Sequence, residues 1–173
     1  RLAARFWDAD RGKITLGGMD VSDVDPETLM SLYSIVFQDV TLFNNTIMEN
    51  IRIGKKDATD EEVMQAARLA NVEEFAEKLP DGLNSMIGEN GCELSGGERQ
   101  RVYIAMALAQ DTRVLFLDEP TTYLDIRYQL QILKLIRQLN REYGITIVMV
   151  LHDINRSLYY SDEIVAMKDG KII

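Results

Sequence analysis

The 173-residue chain has only one cysteine and one histidine. The single cysteine, Cys92, excludes an internal disulfide framework and is typical of a reducing compartment. Basic side chains are also in the minority, because 19 Lys and Arg stand against 28 Asp and Glu and give a formal net charge of −9. This balance argues against binding through a basic surface, so nucleic acid is not expected as a partner.

Long apolar runs are missing as well. The longest largely apolar segments, Val102–Ala109 and Ile145–Leu151, are far shorter than the roughly 20 residues that a membrane-spanning helix needs. The first residues, RLAARFWDADRG, are charged and lack the apolar stretch of a secretory signal. These features predict a soluble, intracellular, acidic domain with no direct insertion into a membrane.

The apolar pattern predicts an α/β fold. Short apolar segments rich in β-branched residues are predicted strands, at Ser34–Phe37, Val114–Leu117, Ile145–Leu151 and Glu163–Met167. Helical patterns separate these segments, which favours a parallel sheet covered on both faces. In such sheets the chemistry lies just beyond the carboxyl ends of the strands.

Two segments with capping-box spacing, Thr59–Glu62 and Ser95–Glu98, predict the starts of helices. A long amphipathic helix is predicted at Ile126–Tyr143, with Asp125 as its N-cap. The alternation of these helices with the strands completes the α/β pattern.

Turn residues predict hairpins near both ends of the chain. Lys13–Leu16 and Met19–Val21 flank Gly17-Gly18 and are predicted to pair. Residues 171–173 follow an Asp-Gly turn and are predicted to form half of a second hairpin. Residues 1–7 are predicted to continue a helix that starts upstream.

Polar side chains follow three of the predicted strands. Asp118 and Glu119 come directly after an apolar strand, and Pro120 then stops it. Because strand side chains alternate, one carboxylate could hold Mg²⁺ and the other could polarise an attacking water; an acidic turn without a catalytic role is the alternative. His152 and Gln38 end two other strands and could reach the same place.

The segment Leu94–Glu98, LSGGE, predicts an anion site at a helix start. Gly96 and Gly97 leave backbone N–H groups unshielded by Cβ atoms, and the helix dipole favours a phosphate there. Ser95 and Glu98 also fit an ordinary capping box, which is the alternative interpretation. A capping box does not require two glycines, each of which costs about 1 kcal/mol in a helix.

In combination, these motifs resemble the nucleotide-binding domain of ATP-binding cassette (ABC) transporters over the whole chain. The order of LSGGE, VLFLDEP at 114–120, TTYLD at 121–125 and a histidine after a strand matches that family. The resemblance implies a P-loop NTPase (RecA-like) parallel-sheet core, an ABC helical subdomain and a short N-terminal β-hairpin. It also implies ATP and Mg²⁺ as cofactors and ATP hydrolysis coupled to transport across a membrane.

The resemblance implies a site shared between two subunits. Residues 95–98 (Ser95, Gly96, Gly97 and Glu98) match the signature motif, which contacts ATP held by the partner subunit. Asp125 matches the D-loop at the dimer interface. Together with residues 95–98 it is expected to be an ATP-binding residue.

The remaining motif residues match the hydrolytic side of that site. Asp118 corresponds to the Walker B carboxylate near Mg²⁺, and Glu119 to the catalytic base. His152 matches the switch histidine. Gln38 falls at the Q-loop, which links Mg²⁺ to the transmembrane domain.

The chain departs from the family in several places. The phosphate-binding loop G-x-x-x-x-G-K-[ST] is absent, because Gly12-Lys13-Ile14-Thr15 has the wrong residue at 14 and Trp7 where a glycine belongs. We expect the loop to lie upstream, and the 173 residues alone to be inactive and to bind ATP poorly. Glu98 stands where Gln is commonest, and Tyr123 where a small residue is usual.

Two branches of the family are represented. Residues 35–97 resemble exporters, including Gly88–Gly91, which is similar to the exporters' X-loop. From about residue 100 onward the sequence resembles ferric-siderophore importers, and Asp153 replaces the Arg that exporters usually have after the switch histidine. A natural lineage of iron-linked exporters and a composite sequence both remain open.

The resemblance implies one ABC ATPase domain over 1–173. Its parts are expected at 1–47 (β-subdomain and Q-loop), 48–109 (helical subdomain) and 110–173 (core with Walker B, D-loop and switch histidine). The expected partners are a transmembrane permease domain or subunit and a second nucleotide-binding domain. The expected location is the cytoplasmic face of the cell membrane, held there through the permease.

We expect Gln38–Asn50 to supply much of the permease-binding surface, since so short a segment cannot bury all of its apolar side chains: Val40, Leu42, Phe43 and Ile47. Two other hypotheses remain open. A soluble ABC ATPase without a permease is one, although Gly88–Gly91 argues against it. A non-catalytic interaction module is the other, if the chain truly lacks a phosphate-binding loop.

Overall fold

A computed structural model describes residues 5, 7, 9–38, 41–169 and 171–173. Near the amino end, β1 (Thr15–Leu16) and β2 (Met19–Asp20) pair antiparallel, as predicted. Both glycines between them have positive φ, +60° and +85°, which suits the tight turn of a hairpin. The helix predicted over 1–7 falls mostly outside the described residues, but Arg5 has a φ of +53° and lies in a turn.

Three parallel strands form the central sheet, in the order β3 (Ser34–Val36), β4 (Val114–Asp118) and β5 (Thr146–Val150). The register pairs Val36 with Leu117 and Asp118 with Val150. The three strands therefore point their carboxyl ends toward one edge, which is the placement that the sequence predicts for the chemistry.

Helices precede and connect these strands. α1 (Pro26–Met30) follows the hairpin, and four α-helices lie in the described residues between β3 and β4: α2 (Ile47–Arg52), α3 (Asp60–Leu69), α4 (Glu73–Ala76) and α5 (Gly96–Leu108). Both predicted capping boxes are present, at the starts of α3 and α5. α5 contacts α2, α3 and β3 and so joins this helical group to the sheet. The proposed boundaries of a helical subdomain at 48–109 remain a prediction.

The long helix α6 spans Ile126–Tyr143, the predicted bounds, and Asp125 caps it. Its apolar face is fully buried against α5 and the sheet, at Ile132, Leu133, Leu135, Ile136 and Leu139. Gly144 ends the helix with a φ of +67°, the left-handed conformation common at helix C-termini. α7 (Ile154–Tyr160) follows β5 and packs on α6.

The prediction of a strand at Glu163–Met167 is wrong. Ile164 and Val165 belong to no strand and are exposed, and only Met167 enters a strand, β6 (Met167–Lys168). β6 pairs antiparallel with β7 (Lys171–Ile172), so the closing residues belong to a complete hairpin and not to half of one. An apolar run does not indicate which strand it pairs with. Here the turn at Asp169 brings β7 next to β6, so the two neighbouring segments pair with each other.

The sheet is also less covered than predicted. On β5 the exposed and half-buried residues alternate, and Val148 and Val150 are about half exposed, at 48% and 51%. One face of this strand packs on the core through Ile147 and Met149, while Thr146, Val148 and Val150 on the other face are exposed. The sequence pattern of continuous apolar residues does not distinguish these two environments.

A polar contact on α3 supports an acid-stability prediction. Glu62 accepts from Lys55 Nζ at 2.5 Å and from the Thr59 N–H at 2.7 Å. The Lys55 hydrogen bond, followed by that of Thr59, lowers the pKa of Glu62 to about 2. A lowered folded-state pKa stabilises the fold above the unfolded value, and this stabilisation is lost as pH falls toward about 2.

We therefore expect the full-length protein to lose stability between about pH 4.5 and pH 2, and Glu62→Gln to show a smaller loss over that range. Chemical unfolding at a series of pH values measures this, with Glu77→Gln as a control on another exposed carboxylate. Parallel pH curves for wild type and Glu62→Gln would contradict the assignment.

Candidate functional site

Three of the predicted residues meet at the carboxyl edge of the sheet. Gln38 follows β3, Glu119 follows β4 and His152 follows β5. His152 Nε2 lies 2.6 Å from Glu119 Oε1, and Gln38 Nε2 donates to Glu119 Oε2 at 3.3 Å. Gln38 is 81 positions from Glu119 in sequence, and Glu119 is 33 positions from His152. The structure therefore brings together an amide, a carboxylate and an imidazole from distant parts of the chain.

A fourth residue, Thr122, completes the group around Glu119. Its hydroxyl donates to Oε2 at 2.9 Å. Sequence analysis did not single out Thr122, although a threonine three positions after a carboxylate, within a turn, is a recognisable signal for such a contact. Glu119 is 19% exposed at its side chain, whereas His152 is 75% exposed.

These donors control the charge of Glu119. The hydrogen bond from Thr122, and then that from His152, lower the pKa of Glu119 below its ordinary value, while partial desolvation opposes them. At neutral pH Glu119 is therefore a carboxylate, which accepts protons and hydrogen bonds and does not donate. That is the state a general base requires.

The backbone at this point is strained. Glu119 has a φ of +51° and Tyr123 a φ of +62°, both in the left-handed region that non-glycine residues seldom adopt. Such residues cost on the order of 1–3 kcal/mol each and persist where the surroundings hold them. At Glu119 the turn is held by the Thr122 N–H, which donates to the Glu119 carbonyl at 3.1 Å.

Asp118 is placed differently from Glu119. It is the last residue of β4, it is exposed, and no described residue makes a hydrogen bond or ion pair with its carboxylate. The described residues contain no cluster of three or more acidic, His or Cys side chains suited to a metal. Mg²⁺ bound to nucleotides commonly uses one or two protein ligands, with water and phosphate supplying the rest. Asp118 and the amide oxygen of Gln38 fit such a sparse donor set.

The LSGGE segment forms the start of α5, apart from the Glu119 group. Ser95 Oγ accepts from the Glu98 N–H at 3.3 Å, and Glu98 Oε2 accepts from the Ser95 N–H at 2.8 Å. The structure records no partner for the N–H groups of Gly96 and Gly97 within the part of the chain that it describes. Gly96 is half-buried and Gly97 is buried, so Gly96 is the better placed of the two to donate to an anion at the positive end of this 13-residue helix.

Gly97 also has a packing role that sequence analysis missed. A Cβ atom on Gly97 would lie 2.3 Å from Cδ1 of the Tyr128 ring, closer than any real contact. Tyr128 lies in the first turn of α6, and its N–H donates to the Asp125 carboxylate at 3.1 Å. The Tyr128 ring therefore packs the start of α6 closely against the start of α5. This contact explains the glycine at 97 even if no ligand binds there.

The loop before α2 corrects another expectation. Leu42 and Ile47 are buried, at 1% and 0% exposure, so they do not contribute to an apolar surface. Phe43 is 61% exposed, and Val40 lies outside the described residues. Asn50 pins this loop, because its side chain accepts from the Phe43 N–H at 2.8 Å and donates to the Phe43 carbonyl at 3.1 Å.

No helix in the described part of the chain combines the length and apolar character needed to cross a bilayer.

The chain is similar in sequence to parts of much longer transporters. The iron-sulfur clusters transporter atm1, mitochondrial, of Aspergillus fumigatus is 42% identical over 99% of this chain, which covers 24% of that protein. An ATP-dependent lipid A-core flippase of Legionella pneumophila is 39% identical over 99% of the chain, which covers 29% of it. This chain thus spans about a quarter of the length of such relatives.

A solved structure agrees with the sequence relatives. The structure of a bacterial Atm1-family ABC exporter with ATP bound matches 99% of this chain and 30% of that one, with a TM-score of 0.87 and 37% identity. The predicted fold class is thereby confirmed, and so is the resemblance to exporters. The likeness of residues from about 100 onward to siderophore importers stays a prediction. The model of the ABC transporter family matches residues 1–122, and the chain belongs to that family.

Proposed function

We propose that this chain is the ATP-binding and ATP-hydrolysing domain of an ABC exporter, and that it couples hydrolysis to transport across a membrane. The observation that carries this proposal is the convergence of His152, Gln38 and Thr122 on the Glu119 carboxylate. The likeness to an exporter with ATP bound supports it. Hydrolysis of MgATP by the full-length protein in lipid vesicles tests it, and a protein with no hydrolysis would contradict it.

In this proposal Glu119 is the general base. A carboxylate offers about four lone-pair positions, and described residues occupy three of them. Oε2 accepts from Thr122 and Gln38, and Oε1 accepts from His152. The remaining position on Oε1 can take the proton of a water that attacks the γ-phosphate, with His152 holding the carboxylate in place.

Asp118 and Gln38 are the proposed Mg²⁺ contacts. The exposed Asp118 carboxylate supplies a hard oxygen ligand, and Gln38 turns its amide nitrogen toward Glu119, which leaves its amide oxygen for the cation. The bound ion would neutralise charge that develops on the phosphates during transfer. With the ion held by these two residues, the phosphates would lie beside Glu119.

The turn at the start of α5 is the proposed contact with ATP held by a second ABC domain. The N–H groups of Gly96 and Gly97 and the helix dipole favour the γ-phosphate. Ser95 can donate its hydroxyl proton to the phosphate while still accepting from Glu98, since a hydroxyl does both. Glu98 keeps its carboxylate on the cap, and Asp125 lies at the proposed dimer interface.

The proposed partners are thus a second ABC domain and a membrane-embedded permease, with this domain on the cytoplasmic face. Phe43 is the side chain best placed to contact the permease. It is exposed, yet its backbone is held on both sides by Asn50. An exposed aromatic ring on a fixed loop resembles the anchors that contribute most to protein interfaces.

We expect Phe43→Cys, in a Cys92→Ser background, to form cross-links to a membrane-embedded segment when a short thiol-reactive photo-cross-linker is attached in cells. Removing Cys92 is necessary because it is a free, exposed thiol. Tyr143→Cys is the matched control, since Tyr143 is an aromatic residue of similar exposure, 53%, at the far end of α6. Mass spectrometry of the cross-linked peptides that found only soluble partners for Phe43→Cys would favour an ABC ATPase without a permease.

A further inference from the structure

Thr122 occupies a position from which it can control the geometry of Glu119. The residues between β4 and α6 form a tight turn in which the Thr122 N–H donates to the Glu119 carbonyl. The Thr122 hydroxyl then reaches back to Oε2 of the same residue, at 2.9 Å. One residue therefore holds both the backbone and the side chain of Glu119.

The contact also selects one oxygen of the carboxylate. Thr122 and Gln38 both donate to Oε2, and the Thr122 contact is the shorter of the two, 2.9 Å against 3.3 Å. Oε1 receives only His152 among the described residues. Hydrogen bonds to a charged acceptor are stronger than neutral ones. Losing the threonine hydroxyl would leave Oε2 with only the longer Gln38 contact, so the carboxylate would be held mainly through His152 on Oε1 and could pivot about that contact.

We propose that Thr122 is a positioning residue for hydrolysis, which fixes Oε2 of Glu119 so that Oε1 presents its open lone pair to the attacking water. This proposal rests on the proposed function, because it assumes that Glu119 is the base. Thr122 itself does not contact ATP in this arrangement. Its effect is on the rate of the chemical step and not on nucleotide binding.

The test compares two substitutions at one position in the full-length protein. Thr122→Val keeps the shape of the side chain and removes the hydroxyl, whereas Thr122→Ser keeps the hydroxyl. We expect Thr122→Val to lower kcat about tenfold with KM for MgATP unchanged, and Thr122→Ser to retain kcat within about twofold. Equal thermal unfolding midpoints would show that both variants fold.

A second comparison separates positioning from a general structural effect. In a Glu119→Gln background the geometry of the base no longer matters, so adding Thr122→Val should lower the residual rate by less than about twofold. Wild-type kcat in Thr122→Val, an equal loss in Thr122→Ser, or a full additional loss in the double variant would each overturn the proposal. Failure of the proposed function would show differently, as undiminished hydrolysis by Glu119→Gln alone.

Discussion

Glu119→Gln in the full-length protein is expected to reduce ATP hydrolysis by about 10²–10⁴-fold, the usual contribution of a general base. The amide cannot take a proton from water, although it can still contact Thr122 and His152. Binding of ATP should survive, because Glu119 is already occupied by protein donors and its role is proposed for the chemical step. Removing a negative charge near the phosphates should also favour a nucleotide-bound dimer.

The measurements are steady-state hydrolysis, equilibrium ATP binding and the fraction of dimer on a sizing column with MgATP. Glu77→Gln is the control, since Glu77 is an exposed carboxylate far along the chain from the site. Near-wild-type hydrolysis by Glu119→Gln would show that another group activates the water.

Gly97→Asp is expected to abolish ATP-driven dimerisation and hydrolysis together, while nucleotide binding to a single subunit survives. A carboxylate at this turn would add a negative charge beside the proposed position of the γ-phosphate, in a partly desolvated site where like charges repel strongly. The structure adds a steric effect, because any Cβ at this position meets the Tyr128 ring. The two effects need separate variants.

A Tyr128→Ala background removes the ring and so makes room for a side chain at 97. In this background we expect Gly97→Ala to dimerise with MgATP and Gly97→Asp to fail, because the two variants then differ mainly in charge. Sedimentation velocity with and without MgATP measures the difference. Equal behaviour of the two double variants would mean that Gly97 serves packing only.

Sequence patterns predicted those elements whose formation depends on residues close together in the chain. The capping boxes, the helix Ile126–Tyr143 and its cap Asp125 depend on residues within one or two turns, and all are present. The strand ends were predictable too, since apolar runs followed by polar residues mark them. The convergence of Gln38, Glu119 and His152 then follows from the parallel order of β3, β4 and β5.

The features that sequence analysis missed depend on contacts between distant segments. Gly97 is required partly by Tyr128 from another helix, and no spacing rule indicates that contact. Leu42 is buried although its neighbour Phe43 is exposed, because the fold closes over one side of the loop only. The apolar run at Glu163–Met167 has strand composition but finds no partner strand among the described residues, except where Met167 pairs with β7.

The shared site is the central claim, and a mixed dimer tests it with two variants of this chain. In a dimer that pairs Gly97→Asp with Glu119→Gln, a shared arrangement places both lesions in one site. The other site then combines an intact base from one subunit with an intact α5 turn from its partner. If each site were built from one subunit, both sites would carry a lesion.

The measurement is single-turnover ATP hydrolysis by mixed dimers isolated through two different affinity tags. Single-turnover conditions are needed because they detect one working site even if steady-state cycling requires two. In a single turnover, each mixed dimer is predicted to hydrolyse about half as much ATP as a wild-type dimer, because one of its two sites is intact. Dimers of either variant alone are predicted to hydrolyse almost none. A purified mixed dimer that is as inactive as either parent would contradict a shared site.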